Sequence, residues 1–302
     1  MNAAYLHLPV ALIFAPALLS VINRIKALFA GRTGPPLLQP YYDLAKLLKK
    51  GAVYSRTTTW VFRMNPIIGL SAVLVALAFI PFAGSVAVLA TKGDIFILAY
   101  VLGLARFFLI IAALDAGSSF EGMGASREAQ FSALTEPAFL VGLAAVSRAT
   151  GGLSLSEMYG ALSFQTWMSI GPIVLLVAAA FLIVLLTENA RIPVDDPNTH
   201  LELTMIHEVM VLDYSGPDLA MIFYASALKL WIFGSLLVGL VLPIHGANLW
   251  LDALAAYGGM VIMAVCVGVI ESCMARLRLL RIPQLLVAAS SLSILAFLLL
   301  LR

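Results

Sequence analysis

Residues 188–202 read ENARIPVDDPNTHLE. Glu188, Arg191, Asp195, Asp196, His200 and Glu202 crowd into fifteen positions of a chain that is 62% hydrophobic and only 11% charged. Mean hydropathy is +1.02. A soluble domain carries about 25% charged residues, so this chain cannot cover its own surface with polar groups. Its solvent is largely lipid, and the quoted stretch is a polar island between apolar segments. What that island does depends on the side of the membrane it occupies and on what it faces there.

A bilayer core of about 30 Å needs roughly 20 apolar residues in a helix. Eight segments qualify: 6–28, 67–90, 95–115, 134–150, 170–187, 219–242, 250–273 and 284–301. The expected fold is an all-α polytopic membrane protein, a single integral membrane domain over residues 1–302. No internal repeat of the kind found in inverted-repeat transporters is visible. The positive charges of the N-terminal segment follow its apolar run, which predicts a retained first span rather than a cleaved leader. The net charge of +2 gives no reason to invoke nucleic acid. Cys266 and Cys273, seven apart with no C-x-x-C and no adjacent His, read as buried small hydrophobes. The chain is therefore expected to bind neither an iron–sulfur cluster nor zinc itself.

Lys and Arg in the connections set the orientation. Residues 29–66 hold Arg32, Lys46, Lys49, Lys50, Arg56 and Arg63, and 274–283 hold Arg276, Arg278 and Arg281. The connections 116–133 and 188–218 contribute Arg127 and Arg191. These four are expected in the cytoplasm, with both termini on the outer side of a plasma (inner) membrane. Within 29–66, PPLLQPYYDLAKLLKKG (35–51) places Leu37, Tyr41, Leu44 and Leu48 on one helical face and Asp43, Lys46 and Lys50 on another. It reads as a helix lying in the interface plane, capped by Gly51.

Ionisable groups inside spans cost about 2.5–3.5 kcal/mol each on insertion scales and usually face protein or water. The span limits place Asp115, Glu136, Glu188 and Glu271 at one depth near the inner ends of their helices, with Arg106 and Lys229 deeper. Glu136 precedes Pro137 and reads equally well as a residue of a first helical turn. Asp115 reads equally as a span end before a Gly-rich turn, and Glu271 as a partner for Arg276 or Arg278. Lys229 has no such alternative: it is set among apolar residues, too deep to reach the surface. The stretch 188–218 carries seven of the sixteen acids (Glu188, Asp195, Asp196, Glu202, Glu208, Asp213 and Asp218) against Arg191 alone. Anionic headgroups repel such a loop, so it faces protein or a polar cavity. Thr199 and Glu202 fit a capping box opening a helix over HLELTMIHEVMVLD. His200 and His207, seven apart, do not make a metal site.

Four stretches carry a family resemblance. GRTGPPLLQPYYDLAKLLKK (31–50), ARFF with LDAGSSFEGMGASREAQFSALTEPAFL (105–108 and 114–140), ENARIPVDD (188–196) and HEVMVLDYSG (207–216) resemble the membrane anchor subunit shared by respiratory complex I and the group 4 membrane-bound nickel–iron hydrogenases, formate hydrogenlyase included. The resemblance spans about residues 24–240. It departs from the complex I pattern after P-V-D: DPNTHLE stands where further acids are usual, and Asp213 replaces the Glu before Tyr-Ser-Gly. These departures are more similar to the hydrogenase branch, whose redox chemistry ends at a soluble metal centre.

The resemblance implies a subunit without catalytic residues or a cofactor of its own. The nickel–iron centre and iron–sulfur clusters lie in soluble large, small and ferredoxin-like partner subunits docked on the inner face. Antiporter-like membrane subunits sit alongside. Asp115, Glu136, Glu188, Arg191, Asp195, Asp196, Glu202, Glu208, Asp213, Lys229 and Arg106 would form the coupling path, with Arg191 holding the loop by pairing with its acids. Arg32, Gln39, Asp43, Lys46 and Arg127 would contribute to docking. Three alternatives remain open: a quinone site bordered by the first loop and 188–216, as in complex I; a secondary carrier binding an anion at Lys229 and Arg106; and a passive anchor.

Overall fold

The computed structural model describes residues 3–196, 205–243 and 249–301. It is built of helices: α1 (Ala3–Phe29), α2 (Gln39–Leu48), α3 (Trp60–Ala78), α4 (Asp94–Asp115), α5 (Ser119–Thr150), α6 (Leu155–Ala161), α7 (Phe164–Glu188), α8 (Gly216–Val241), α9 (Leu249–Cys273) and α10 (Ile282–Leu299). Among the described residues, eight helices are long and apolar enough to cross a membrane, all but α2 and α6. The eight-span expectation is met.

The helix ends follow local chemistry. Thr59 accepts from the Val61 amide, Ser154 from Ser156 and Ser163 from Thr166, capping α3, α6 and α7. Gly151 ends α5 in the left-handed conformation, φ +75°. Helix α8 is the most buried span, with Trp231 at its centre. It touches α1, α2, α3, α7 and α9, while α10 packs on α5 and α7. Pro16 lacks the amide that would bond the Leu12 carbonyl; the Tyr224 hydroxyl of α8 donates to that oxygen at 2.8 Å. Tyr41 of α2 donates to the neighbouring Ile13 carbonyl. These two tyrosines fix α1 to α8 and seat α2 against α1. At Gly142 a Cβ would lie 2.4 Å from Phe181, so α5 and α7 approach as closely as a missing side chain permits.

The inner connections meet one another. Thr59 bonds Asp115, Ser215 bonds Val53, and the Leu277 amide donates to Pro193. At the opposite end Asp94, wholly buried, accepts from Ser154 and the Leu155 amide. The four connections rich in Lys and Arg thus lie at one end of the bundle.

Several expectations need correction. The second span is α3, 60–78, not 67–90. Residues 79–87 are apolar because Phe79, Ile80, Phe82 and Ala87 are a buried loop, and hydropathy does not distinguish that from helix. The fourth span begins at 119, not 134, so Gly122 and Gly124 lie within helix and Arg127 is on α5 rather than in a loop. Glu136 is therefore mid-helix, and the first-turn reading fails. Gly51 is not a cap; α2 ends at Lys49 in right-handed conformation. The described part of the expected helix over 200–213 is a 3₁₀ turn, Glu208–Val211. Cys266 and Cys273 are exposed and free rather than buried; an apolar span in lipid presents part of its surface outward, and both cysteines fall there. Thr199, His200 and Glu202 lie outside the described residues.

Candidate functional site: a buried charge network and its cavities

Helices α4, α5, α7 and α8 each bring one or two charges to a single place. Arg106 of α4 is the hub. Its Nη1 is 2.5 Å from Glu136 Oε1, its Nη2 2.5 Å from Glu188 Oε1, and its Nε 3.6 Å from Glu128 Oε1. Lys229 Nζ lies 2.8 Å from the other oxygen of Glu188. The two cations are thus level with Glu136 and Glu188, not deeper as the span limits suggested. Helix α7 stops at Glu188, beside the middle of α8. Ala190 at φ +48° then turns the chain back under the bundle. Glu188 is 6% exposed and Glu136 53%.

Two cations facing three carboxylates leave one negative charge uncovered. Burying an unpaired charge is costly, so this excess acid is the feature of the network that a function has to explain. Glu128 was not singled out from the sequence. The signal was present: Glu128 and Glu136 are eight apart, two turns of one face, once α5 is known to run through both.

Two cavities border this network, and a further one adjoins the first of them. One, about 70 Å³, is bounded by Asn65, Arg106, Glu128, Glu188, His207 and Lys229. It has room for several waters. A second, about 330 Å³, lies between α1, α2, α8 and the acidic loop, and is lined by Asn23, Asp43, Arg191, His207 and Glu208. Asn189, His207 and Ser226 border both. The third, about 280 Å³, shares Leu102, Arg106 and Glu188 with the first and reaches Glu136. His207 therefore stands between two chambers. Burial and the nearby Lys229 push its pKa down to about 4, so it is neutral at pH 7. Glu208 is pushed up to about 7, first by burial and then by Asp195 and Asp196, against the pull of Arg191.

The remaining predicted residues fall elsewhere. Asp115 accepts from the Thr59 amide and hydroxyl at 2.7 and 2.9 Å, clamping the first loop; it is not in the network. Asp195 closes the neck of the acidic loop. It accepts from the amides of Asp196, Ile206 and His207 and pairs with Arg276 at 2.7 Å. Among the described residues Arg191 pairs with Glu271 at 3.4 Å and with no acid of the loop, and Glu271 also takes Lys26 at 2.8 Å. This corrects two expectations: Arg276 holds the loop's Asp195, and Glu271 pairs with Lys26 and Arg191 rather than Arg276 or Arg278. Asp213 is exposed, and its amide donates to Glu121. Arg127 donates to the Met205 carbonyl at 2.8 Å, pinning the far side of the loop to α5. Gln39 donates to Asp43, and Arg32, Asp43 and Lys46 are exposed around the inner end. Among the described residues no group of His, Cys, Asp and Glu has metal-binding geometry.

An all-α bundle of eight spans, with a network of paired charges among its helices and cavities beside it, defines a multi-pass integral membrane protein. The NADH dehydrogenase family model matches residues 1–301, and the chain belongs to that family. Formate hydrogenlyase subunit 4 of Escherichia coli is 31% identical over 98% of both chains. Hydrogenase-4 component C of the same organism is 30% identical over 79% of this chain and 74% of its own. A NADH-quinone oxidoreductase subunit from Wolbachia pipientis is 31% identical over 70% of this chain and 68% of its own. A chain of the archaeal membrane-bound sulfane sulfur reductase, a respiratory membrane complex, superposes with TM-score 0.82 at 21% identity, covering 97% of this chain and 98% of that one.

The network makes two outcomes measurable. Arg106→Gln strands buried carboxylates and should cost about 3–5 kcal/mol of stability. Adding Glu188→Gln should recover part of that loss in detergent unfolding, because the charge left unpaired is then gone; additive losses would contradict the pairing. For Glu208, the folded state holds its proton more tightly than the unfolded chain, whose ordinary value is 4.5. Its contribution to stability is therefore full below about pH 4.5 and is lost as pH rises through about 7. Glu208→Gln should flatten that decline in a thermal-melt series.

Proposed function

We propose that the chain is the membrane subunit of a respiratory-type hydrogenase complex, similar to formate hydrogenlyase, in the plasma membrane. It seats a soluble nickel–iron and iron–sulfur arm on its inner face and couples that arm's redox reaction to proton or ion movement. The observation that carries this reading is the run of cavities from the acidic loop, past His207, to Arg106 and Glu188, and out to half-exposed Glu136. A redox step in the docked arm changes the charge near Glu208 and the loop neck. The shared proton of the network then shifts among Glu188, Glu128 and Glu136. Its exit faces sideways, toward an antiporter-like neighbour.

The relatives named for hydrogenases match nearly the whole chain or most of it, which supports the hydrogenase branch. The relative named for a quinone oxidoreductase keeps a second reading in view, and the 330 Å³ chamber between α1, α2 and α8 is the place a quinone would occupy. The distribution of Lys and Arg supports a cytoplasmic inner face and outer termini. The carrier alternative is disfavoured because Arg106 and Lys229 are already neutralised by carboxylates.

In proteoliposomes holding the assembled complex, Glu136→Gln and Glu188→Gln should each abolish ion movement. The soluble redox reaction with artificial acceptors should persist. Coupling that survives both changes would refute the path, and inhibition by a quinone analogue would favour the quinone reading. Orientation is read separately: a single engineered cysteine at 213 should react with impermeant reagents from the cytoplasmic side alone, and labelling from the outside would invert the arrangement.

A further inference from the structure

One buried carboxyl takes no part in the network. Glu121, in the first turn of α5, is 0% exposed. Its Oε1 accepts from the Asp213 amide at 3.2 Å, and its Oε2 is enclosed with no hydrogen-bond partner. Among the described residues no Lys, Arg or His pairs with it. Helix capping does not account for it. Ser118 and Glu121 have capping-box spacing, yet the Ser118 side chain makes no cap bond and Glu121 reaches across to Asp213 instead. Its titratable neighbours are Asp213, whose side chain is exposed, and Tyr214.

Glu128 lies seven residues along α5 from Glu121, on the same face and about 10 Å further in. The space between them is filled. Ala113, Ala125 and Met210 form a dry cluster at that level. Gly124 lets the 3₁₀ turn close down on α5: a Cβ there would lie 2.4 Å from Val209 and 2.8 Å from Met210. Glu121 therefore lies enclosed beneath the exposed Asp213 and Glu128 lines the inner cavity, with Met210 packed on α5 at the level between them. Met210 belongs to the segment that follows directly from the neck of the acidic loop.

We propose that Glu121 is a proton-loading group at a second inner entrance, and that Met210 is the plug between it and Glu128. The inference rests on the coupling role above and adds the route of supply. As the cover at Asp213 opens, hydronium there gives its proton to the Glu121 carboxylate; an O–H bond forms at Oε2, the carboxylate becomes neutral and water is left. Withdrawal of the 3₁₀ turn lets water in beside Met210. The Oε2–H bond then breaks, and the proton passes along that water to the Glu128 carboxylate. Glu121 returns to its anion, ready to reload.

The test is infrared difference spectroscopy on the assembled complex, which reports protonated carboxyls without requiring transport. A carbonyl-stretch band should vanish in Glu121→Gln and persist, shifted, in Glu121→Asp. Met210→Ala should speed the hydrogen–deuterium exchange of the network's carboxyl bands. Glu121→Gln should also cut coupled ion movement at least about tenfold, leaving the artificial-acceptor rate within about twofold. A spectrum unchanged by Glu121→Gln, exchange unchanged by Met210→Ala, or full coupling in Glu121→Gln would each overturn the proposal. Should Glu121→Gln not assemble, Glu121→Asp and Met210→Ala decide it by the same bands. If Glu136 and Glu188 prove dispensable while the Glu121 band responds, the coupling reading falls and Glu121's titration stands.

Discussion

The guanidinium of Arg106 is the interaction on which the rest depends. It lies midway along α4, where an unpaired cation would be drawn toward an interface or would pull the helix out of the membrane. It stays because α5 and α7 deliver three carboxylates to its three nitrogens, and Lys229 takes the remaining oxygen of Glu188. Each partner is as much constrained by Arg106 as it is by them. Helix α7 must stop at this depth to present Glu188, and the chain must then turn beneath the bundle. The acidic loop is placed by that turn.

A second network makes the contrast. Lys26, Arg191 and Arg276 meet Glu271 and Asp195 on the other side of the loop. There each oxygen of Glu271 and Asp195 has a fixed donor or cation. These pairs tie α1, α9, the loop neck and the α9–α10 connection together. The Arg106 network sets three carboxylates against two cations and borders the 70 and 280 Å³ cavities, while Arg191 of the second group lines the 330 Å³ chamber.

Much of this was legible in the sequence. The apolar runs locate the spans, and Lys229, with no surface in reach, had to have a buried partner. The failures share a cause. Ser118–Gly124 has the composition of a turn, but its glycines are there because α5 packs against a 3₁₀ turn at near backbone contact, and tertiary packing overrides propensity. Starting α5 fifteen residues late concealed Glu121 and Glu128, since their alignment with Glu136 exists only on a continuous helix. Partner choice was equally hidden. Arg191 and Glu271 are eighty residues apart, and nothing local distinguishes Glu271 from the loop acids as the pair for Arg191.

Glu136 is what argues that this bundle does not work alone. It is half exposed, yet it sits beside the outward-facing side chains of α4: Phe96, Tyr100, Leu104 and Phe107 are all exposed there. Aromatic and aliphatic surface of that kind suits lipid; a carboxylate bonded to Arg106 does not, because hydrocarbon gives its outer oxygen no donor. The rest of the network resolves the same difficulty by burial against α7 and α8, and Glu136 has no helix of this chain left to cover it. A neighbouring membrane subunit bearing a polar group at that level would complete its hydrogen bonding. The same exposed oxygen that would be a defect in an isolated subunit is then the contact through which the network reaches beyond it.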